Sequence, residues 1–343
     1  MARVLVSLVT HDESRDTERL LPSLFAQTYR DFELVAVDNR SEDGTRASLA
    51  AAKKHAPVPM EIVASRENLG FTGGHNVGIG KAVERGAEWV LVLNADVVLA
   101  PDYLETLLAD ALRPGREWVG AMTGKILRAE GPDLVPTNVI DTAGIRMTRS
   151  GRHFDVGGGE PDTGRWDRPA EVFGVSGCVA LYRVAALVDV KIPTGWFDDD
   201  FFVYREDVEL AWRLRGRGWS ARCLPAALAW HRRRNLPERR REMSVLANLH
   251  SVKNRFLLRV NNAGPDHLRA TFPLTFARDV IVVGGCLTVE RKSLEALRWL
   301  ARNRVRLLAK RHEILGRRTA SDRALLRWFG PDPGGARIPD LDA

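Results

Sequence analysis

The chain has 343 residues, 45% hydrophobic and 28% charged, which suits one large or two ordinary globular domains with a real core. Its net charge of +7 is uneven: residues 232–318 carry 21 Lys/Arg against 7 Asp/Glu, a net of +14, and leave −7 for the rest. A basic C-terminal segment on an acidic-to-neutral body points to an anionic surface as partner, membrane or nucleic acid. Cys178, Cys223 and Cys286 are far apart, odd in number and form no CxxC pair, so they read as free thiols of a reducing compartment rather than a disulfide framework. The apolar start is too short for a signal peptide, and no run reaches the roughly 18 apolar residues of a transmembrane helix. The expected location is the cytoplasm, free or peripheral on the cytoplasmic face of the membrane.

In chain order, residues 4–9 predict a first strand, and Thr10-His11-Asp12-Glu13 leaves its carboxyl end. Residues 16–27 carry Leu20, Leu21, Leu24 and Phe25 at helical spacing, and residues 32–37 predict a second strand that ends in Asp38. A helix over 48–55 and a strand over 60–64 complete the alternation of a parallel sheet with crossovers. Residues 66–80 (RENLGFTGGHNVGIG) read as a glycine-rich loop leading into a helix over 77–85. The glycines permit close backbone approach to a ligand. They do not form a G-x-G-x-x-G directly after a strand, and GK[ST] is missing, so dinucleotide-fold and P-loop readings are weak. Residues 89–98 (WVLVLNADVV) organise the rest: a short apolar run, typical of a buried parallel strand, ends in Asn94-Ala95-Asp96. Ligands of open α/β sheets bind at that end, where one carboxylate on a rigid strand is placed to hold a divalent cation.

Four stretches, VSLVTHD, VDNRSEDGT, ENLGFTGGHNVGIG and LVLNADV, resemble in order and spacing the successive motifs of glycosyltransferase family 2, and more narrowly its rhamnosyltransferase-like branch. The resemblance implies a GT-A fold: a mostly parallel α/β sheet flanked by helices that binds the nucleotide, joined to an acceptor-binding half. It implies that Thr10, Asp12, Asp38, Asn68 and Asn94 lie on the nucleotide side. Asn94-Ala95-Asp96 stands where the family has its Asp-x-Asp metal motif, so Asp96 would be the main carboxylate ligand of Mn2+ or Mg2+. His11-Asp12 departs from the Tyr-Asn often found there.

Residues 101–112 predict a helix and 119–127 a strand; residues 128–172, rich in Gly, Pro and Asp, read as a long loop or β-hairpin excursion near the acceptor. Cys178, in the returning segment, reads as a small core residue. Residues 195–218 crowd Asp198, Asp199, Asp200, Glu206, Asp207 and Glu209 among Trp196, Phe197, Phe201, Phe202 and Tyr204. Acids at the first turn of a helix from Glu206 complement its dipole, which accounts for one or two of the six. The stretch resembles the family's FDExFFxYxEDxDLxxR. By that match Asp207 would be the general base of an inverting transfer, Glu206 its neighbour, Arg213 a partner in the next layer, and Trp196, Asp198 and Tyr204 acceptor-side residues. His231, after the apolar Ala227-Leu228-Ala229-Trp230, would complete the metal site by the same resemblance.

Residues 232–241 read as a basic segment over the site, and SVKNRFLLRVN over 251–261 resembles a family segment whose Arg-Asn pair opens a helix. Leu294, Leu297, Ala301, Val305 and Leu308 predict one face of a basic helix, either interfacial on a membrane or docked on the body. Residues 319–343 read as frayed. The three segments expected are 1–125 (nucleotide-sugar half), 126–235 (acceptor half with the catalytic helix) and 236–343 (basic helical extension). The activity expected is metal-dependent transfer of a sugar, L-rhamnose from dTDP-rhamnose, to a saccharide or polyprenyl-diphosphate-linked acceptor in cell-envelope glycan synthesis. A nucleotidyltransferase is a second enzyme class, and a basic nucleic-acid-binding protein a third reading. Zinc spacing and RNA-recognition motifs are absent from the sequence, so no nucleic-acid partner is expected. Oligomeric state is not legible.

Overall fold

A computed structural model describes residues 3–233 and 244–331. The first half alternates as its apolar runs dictate: β1 (Val4–Thr10), α1 (Ser14–Phe25), β2 (Phe32–Asp38), α2 (Thr45–Lys53), β3 (Met60–Ala64), α3 (Gly70–Glu84), β4 (Trp89–Asn94), β5 (Val97–Leu99) and α4 (Tyr103–Ala111). β2 pairs with β1 and β3, and β1 with β4, all in parallel. The central strands are buried on both faces, and residues Trp89 to Leu93 are fully covered, as expected where helices pack on both sides of a parallel sheet.

Only the start of the glycine-rich stretch, residues 66–69, is a loop. From Gly70 on it is α3, which starts there rather than near residue 77. A Cβ on Gly78 would lie 2.0 Å from the Ser7 hydroxyl oxygen, so this glycine lets α3 press onto β1. Its absent side chain serves helix-on-sheet packing, not a phosphate cradle.

The middle of the chain extends the same sheet with β6 (Val119–Glu130), β7 (Val135–Thr142), β8 (Ile145–Thr148), β9 (His153–Asp155), β10 (Ala170–Val172), β11 (Val179–Arg183), α5 (Val184–Val190), α6 (Glu206–Gly216) and β12 (Ser220–His231). The spatial order is β10-β12-β6-β11-β4-β1-β2-β3, with β7 on β6 and β5 on β12. β11 runs antiparallel to β4 and β6, while β12 runs parallel to β6. The excursion 128–172 therefore contains strands. β6 crosses position 125, so one continuous sheet joins the first two expected segments. β12 carries an irregularity between Leu224 and Leu228, where Pro225 sits, and a proline inside a strand is tolerated at such a bulge.

The C-terminal part is helical: α7 (Val245–Asn262), α8 (Pro265–Thr288), α9 (Leu294–Arg302), α10 (Arg304–Arg317) and α11 (Asp322–Leu326), closed by β13 (Phe329–Gly330) on β8. Three expectations change here. The helix expected through 294–308 breaks at Asn303 into α9 and α10, so its stripe loses phase: Val305 and Leu308 are 75% and 57% exposed, while Ala296, Leu307 and Ile314 are buried. Residues 251–261 lie inside α7 rather than opening it. α8 is long and apolar enough to cross a membrane by length and composition, although the sequence reading found no such run.

The extension is locked to the body by buried charge. Asp198 is fully buried; its carboxylate accepts from Thr194, Asn261 and Lys310. Asp200 accepts from Lys310 and Arg306. Asp198 was expected to face the acceptor, and this placement corrects it: the carboxylate is an anchor for α7 and α10. Removing one partner of a buried pair leaves the other uncompensated. Lys310→Met should therefore destabilise the protein by about 3–5 kcal/mol, read as a lowered Tm in thermal melts. An unchanged Tm would show that the pair does not hold the extension.

Candidate active site

Of the residues expected on the nucleotide side, Thr10, Asp12 and Asp38 lie at or just past the carboxyl ends of β1 and β2, Asn68 before α3 and Asn94 at the end of β4. Thr10 and Asp38 are buried in register with each other. Asp38 accepts from the Ser41 amide at 3.1 Å and from Arg46 at 2.9 Å. Asp12, at φ 54°, accepts from the amides of Glu42 and Asp43 and so ties the loop after β1 to the loop after β2. Asn39, not singled out in the sequence, donates to Asn68 at 3.0 Å and to the Gly70 carbonyl at 2.9 Å, and accepts from the Leu69 amide. Asn68 itself accepts from the Gly70 amide at 2.8 Å. Asn39 and Asn68 thus join β2 to the start of α3.

The metal candidates meet because of strand pairing. β12 pairs antiparallel with β5, His231 opposite Val97, and the Arg232 amide donates to the Asp96 carbonyl at 3.0 Å. His231 Nε2 lies 3.3 Å from Asp96 Oδ1, and its Nδ1 lies 2.8 Å from Oδ2 of Asp141 on β7. Asp141 is fully buried and also pairs with Arg233, 3.0 Å away. Burial alone would lower the His231 pKa, but Asp96 and Asp141 overcome it and hold the pKa well above the usual value.

These residues fit a divalent cation. Asp141 commits Nδ1, so Nε2 faces Asp96, and ligand atoms on bonds of ~2.1 Å at right angles are ~3 Å apart. A carboxylate oxygen and an imidazole nitrogen form a donor set suited to Mn2+ or Mg2+. Cys178 stands beside it: its sulfur, an Asp141 oxygen and a His231 nitrogen lie within 4.8 Å of one another. The thiol was read as a core residue, and it is buried in the core cluster as well.

The catalytic candidates arrive from the other side. Asp207, in the first turn of α6, accepts from the Gly177 amide at 3.2 Å, and the next residue, Cys178, takes the Asn94 amide at 2.9 Å through its carbonyl. Two adjacent residues thereby join the end of β4 to the start of α6. Burial raises the Asp207 pKa against the lowering effect of the Gly177 and Val208 amides. Glu206 is buried and its pKa is raised well above the usual value, first by burial and then by Asp207. Of the pair, Asp207 is the one whose carboxylate accepts backbone amides, those of Gly177 and Val208. The approach to α6 is strained: Phe202, Tyr204 and Arg205 have φ of 64°, 70° and 69°, each costing about 1–3 kcal/mol. The Asn254 amide nitrogen on α7 holds that turn, 3.0, 2.8 and 2.7 Å from the carbonyls of Phe201, Val203 and Tyr204.

The acceptor-side candidates separate. Tyr204 sits half-buried in this strained turn. Trp196 packs its ring against Gly80 on α3, with Lys191 4.2 Å from the ring centre, whereas Gly70 at the start of α3 meets Phe202. Ten helical residues span ~15 Å, so Trp196 and Phe202 meet α3 about that far apart along its axis. Arg213 pairs with Glu209 at 2.7 Å and donates to the carbonyls of Val190 and Trp196. Asp141 and Asn254 were not expected. Asp141 carries no local signal, whereas Asn254 lies in the family-like segment 251–261. Arg232 pairs with Asp16 and Arg233 with Asp155, both at 2.6 Å; the remainder of the basic segment 232–241 lies outside the described residues.

Comparisons with known proteins give the family and the fold. Residues 6–189 match the model of glycosyl transferase family 2. The chain belongs to glycosyl transferase family 2. It is 30% identical over 243 residues to the N-acetylglucosaminyl-diphospho-decaprenol L-rhamnosyltransferase of Mycobacterium tuberculosis, over 66% of this chain and 75% of that one. It is 25% identical over 224 residues to the poly-beta-1,6-N-acetyl-D-glucosamine synthase of Staphylococcus aureus, over 65% of this chain and 48% of that one. In fold it is similar to GalNAc-T7 solved with UDP, GalNAc and Mn2+, at TM-score 0.58 and 16% identity, over 76% of this chain and 48% of that one. It is also similar to S. aureus TarS 1-349 in complex with UDP, at TM-score 0.52 and 15% identity, over 92% and 90%. The fold is that of GT-A glycosyltransferases, and the family 2 chain is rhamnosyltransferase-like. Family membership makes it a glycosyltransferase rather than a nucleotidyltransferase or a non-enzymatic binding protein.

Two outcomes follow for the site. Asp141→Asn should weaken Mn2+ binding 10–100-fold, measured by calorimetry with nucleoside diphosphate present; equal affinity would remove Asp141 from the site. The raised Glu206 pKa means that the folded state binds the extra proton, so its stabilising effect is complete below the ordinary glutamate pKa of about 4.3 and is lost as pH rises through the raised value. Glu206→Gln should flatten that part of the stability–pH curve in denaturant titrations, and an unaltered curve would contradict the assignment.

Proposed function

We propose that the chain is an inverting, metal-dependent glycosyltransferase that moves L-rhamnose from dTDP-rhamnose to a hydroxyl of a polyprenyl-diphosphate-linked saccharide. The observation that carries this reading is the pair of hydrogen bonds at Gly177 and Cys178, which brings Asp207 beside Asn94-Ala95-Asp96. Donor diphosphate on Asp96 and His231 then lies within reach of a base on α6.

The chemistry follows from those residues. Asp207 takes the proton from the acceptor hydroxyl as its oxygen bonds to the anomeric carbon; the bond to the diphosphate oxygen breaks on the opposite face, which inverts the centre. Asp96 and His231 would hold Mn2+ or Mg2+, which when bound stabilises the departing charge. Asp141 keeps the His231 ring turned so that Nε2 faces Asp96. Glu206 lies buried next to Asp207, and its pKa is raised by burial and then by that neighbour. Thr10, Asp38, Asn68 and Asn94 surround the nucleoside side, and Tyr204 the acceptor.

Two features support a lipid-linked acceptor. The Mycobacterium tuberculosis relative is named for one. Arg255 on α7 is buried and follows Asn254, which holds the turn before α6, so a cation stands near that turn, where an anionic group such as a diphosphate would be drawn. The test is transfer of rhamnose to polyprenyl diphosphate N-acetylglucosamine by wild type and Asp207→Asn. Wild type should form the disaccharide, and the variant should lose on the order of 10²–10⁴-fold in rate while binding the donor as before. Transfer by the variant at the wild-type rate would remove Asp207 from the reaction, and no product from any dTDP-sugar would overturn the donor assignment.

A further inference from the structure

Helix α8 is built inside out. The residues it turns toward the body are His267, Thr271, Thr275 and Cys286, all buried, with Asp279 paired to Arg259 of α7. Thr271 and Thr275 satisfy their hydroxyls on the helix's own carbonyls, at 2.9 and 3.0 Å. The outward face carries Phe272, Phe276, Val280, Ile281 and Leu287, each between 56% and 65% exposed. The rings of Phe272 and Phe276 stack at 5.5 Å. A helix whose outer face meets water has the opposite arrangement, and a row of large apolar side chains differs from the scattered exposure of an ordinary surface.

The helix is held lengthwise. Asp322 of α11 accepts from the amides of Asp266 and His267 at one end, Arg259 holds the middle, and Cys286 packs with Val252 near the other. A helix fastened along its polar stripe cannot thread a bilayer, but it can lie in the bilayer surface with its apolar face inward. The charges select that occupant. Arg269 is 81% exposed at the first turn, Arg291 and Lys292 are exposed just past the last, and Arg298 and Arg302 on α9 are 66% and 71% exposed. Their partners, Asp266 and Glu295, are exposed too, and such pairs are weak. A basic rim around an apolar face complements anionic headgroups, whereas a second copy would set the same rim against itself.

The face also lies next to the site. α7 and α8 run antiparallel, Arg259 beside Asp279 and Val252 near Cys286, so the end of α8 reaches the first turns of α7. There His250 stacks on Phe202 of the strained turn at 5.0 Å.

We propose that α8 seats the enzyme lengthwise on an anionic bilayer, with Phe272, Phe276 and Ile281 among the acyl chains and the basic rim on the headgroups, so that the turn before α6 faces the lipid surface. The purpose of this seat rests on the lipid-linked acceptor proposed above; the binding itself does not. The test is sedimentation of the full chain with vesicles of phosphatidylcholine, with and without phosphatidylglycerol, for wild type and Phe276→Ser/Ile281→Ser. Wild type should sediment with the anionic vesicles, and the double variant should bind them on the order of tenfold or more weakly. Its Tm and its transfer to a short-chain, water-soluble acceptor should be unchanged, and transfer to a long-chain acceptor in vesicles should fall. Failure of wild type to bind anionic vesicles, or equal binding by the variant, overturns the proposal. A dimer that the substitutions dissociate, without vesicle binding, assigns the face to a second copy. Vesicle binding without use of any lipid-linked acceptor would leave the seat standing and remove the acceptor reading.

Discussion

The register of β12 is the constraint on which the site depends. Successive side chains of a strand point to opposite faces, so a slip of one residue would turn His231 away from Asp96. Two ladders fix that register: β5 sets His231 opposite Val97, and β6 sets it opposite Arg128. The irregularity at Leu224 to Leu228 lets β12 gain residues on β6 before it reaches the site. Gly124 makes room for it, since a Cβ there would lie 1.9 Å from the Ala227 carbonyl oxygen. A bulge, a glycine and a proline are unfavourable in a plain strand; here they place one imidazole between two carboxylates.

The remaining parts converge on that point from elements of different origin. The parallel half supplies Asp96 from the end of its fourth strand, and the excursion supplies Asp141 from β7. The segment before β11 joins Asn94 to Asp207 through Cys178 and Gly177. Among the described residues, the C-terminal helices contribute none of the candidate metal ligands or bases. They stabilise a turn that is unfavourable by itself, through Asn254 on the carbonyls and Lys310 on the carboxylates. The placement of Asp207 is thus maintained from the far end of the chain.

What was legible in the sequence follows the range of the interactions. The parallel half could be read because its strands are short apolar runs and its motifs are local, and Asp96 came with those motifs; Asp207 and His231 came with the family-like stretches 195–218 and 227–231. Asp141 could not, because its role arises from pairing with a histidine distant in sequence, inside a stretch whose Gly, Pro and Asp content reads as loop. Asp198 was misread for a similar reason: its carboxylate is neutralised by Lys310, 112 residues on. The glycines of 66–80 signalled close approach, but the approaching groups are protein: β1 at Gly74 and Gly78, and Phe202 at Gly70. α8 was missed as a long apolar helix because Pro273, Arg278 and Asp279 interrupt its pattern, and the latter two lie on the side turned toward the body.

The central claim is that Asp96 and His231 share one cation through a carboxylate oxygen and Nε2. Electron spin-echo spectroscopy of the Mn2+-loaded protein with dTDP tests it most directly. The account predicts modulation from one imidazole nitrogen together with coupling to diphosphate phosphorus, with the nitrogen signal lost in His231→Gln. Manganese bound with dTDP but showing no nitrogen coupling, or a nitrogen signal that survives His231→Gln, would contradict it.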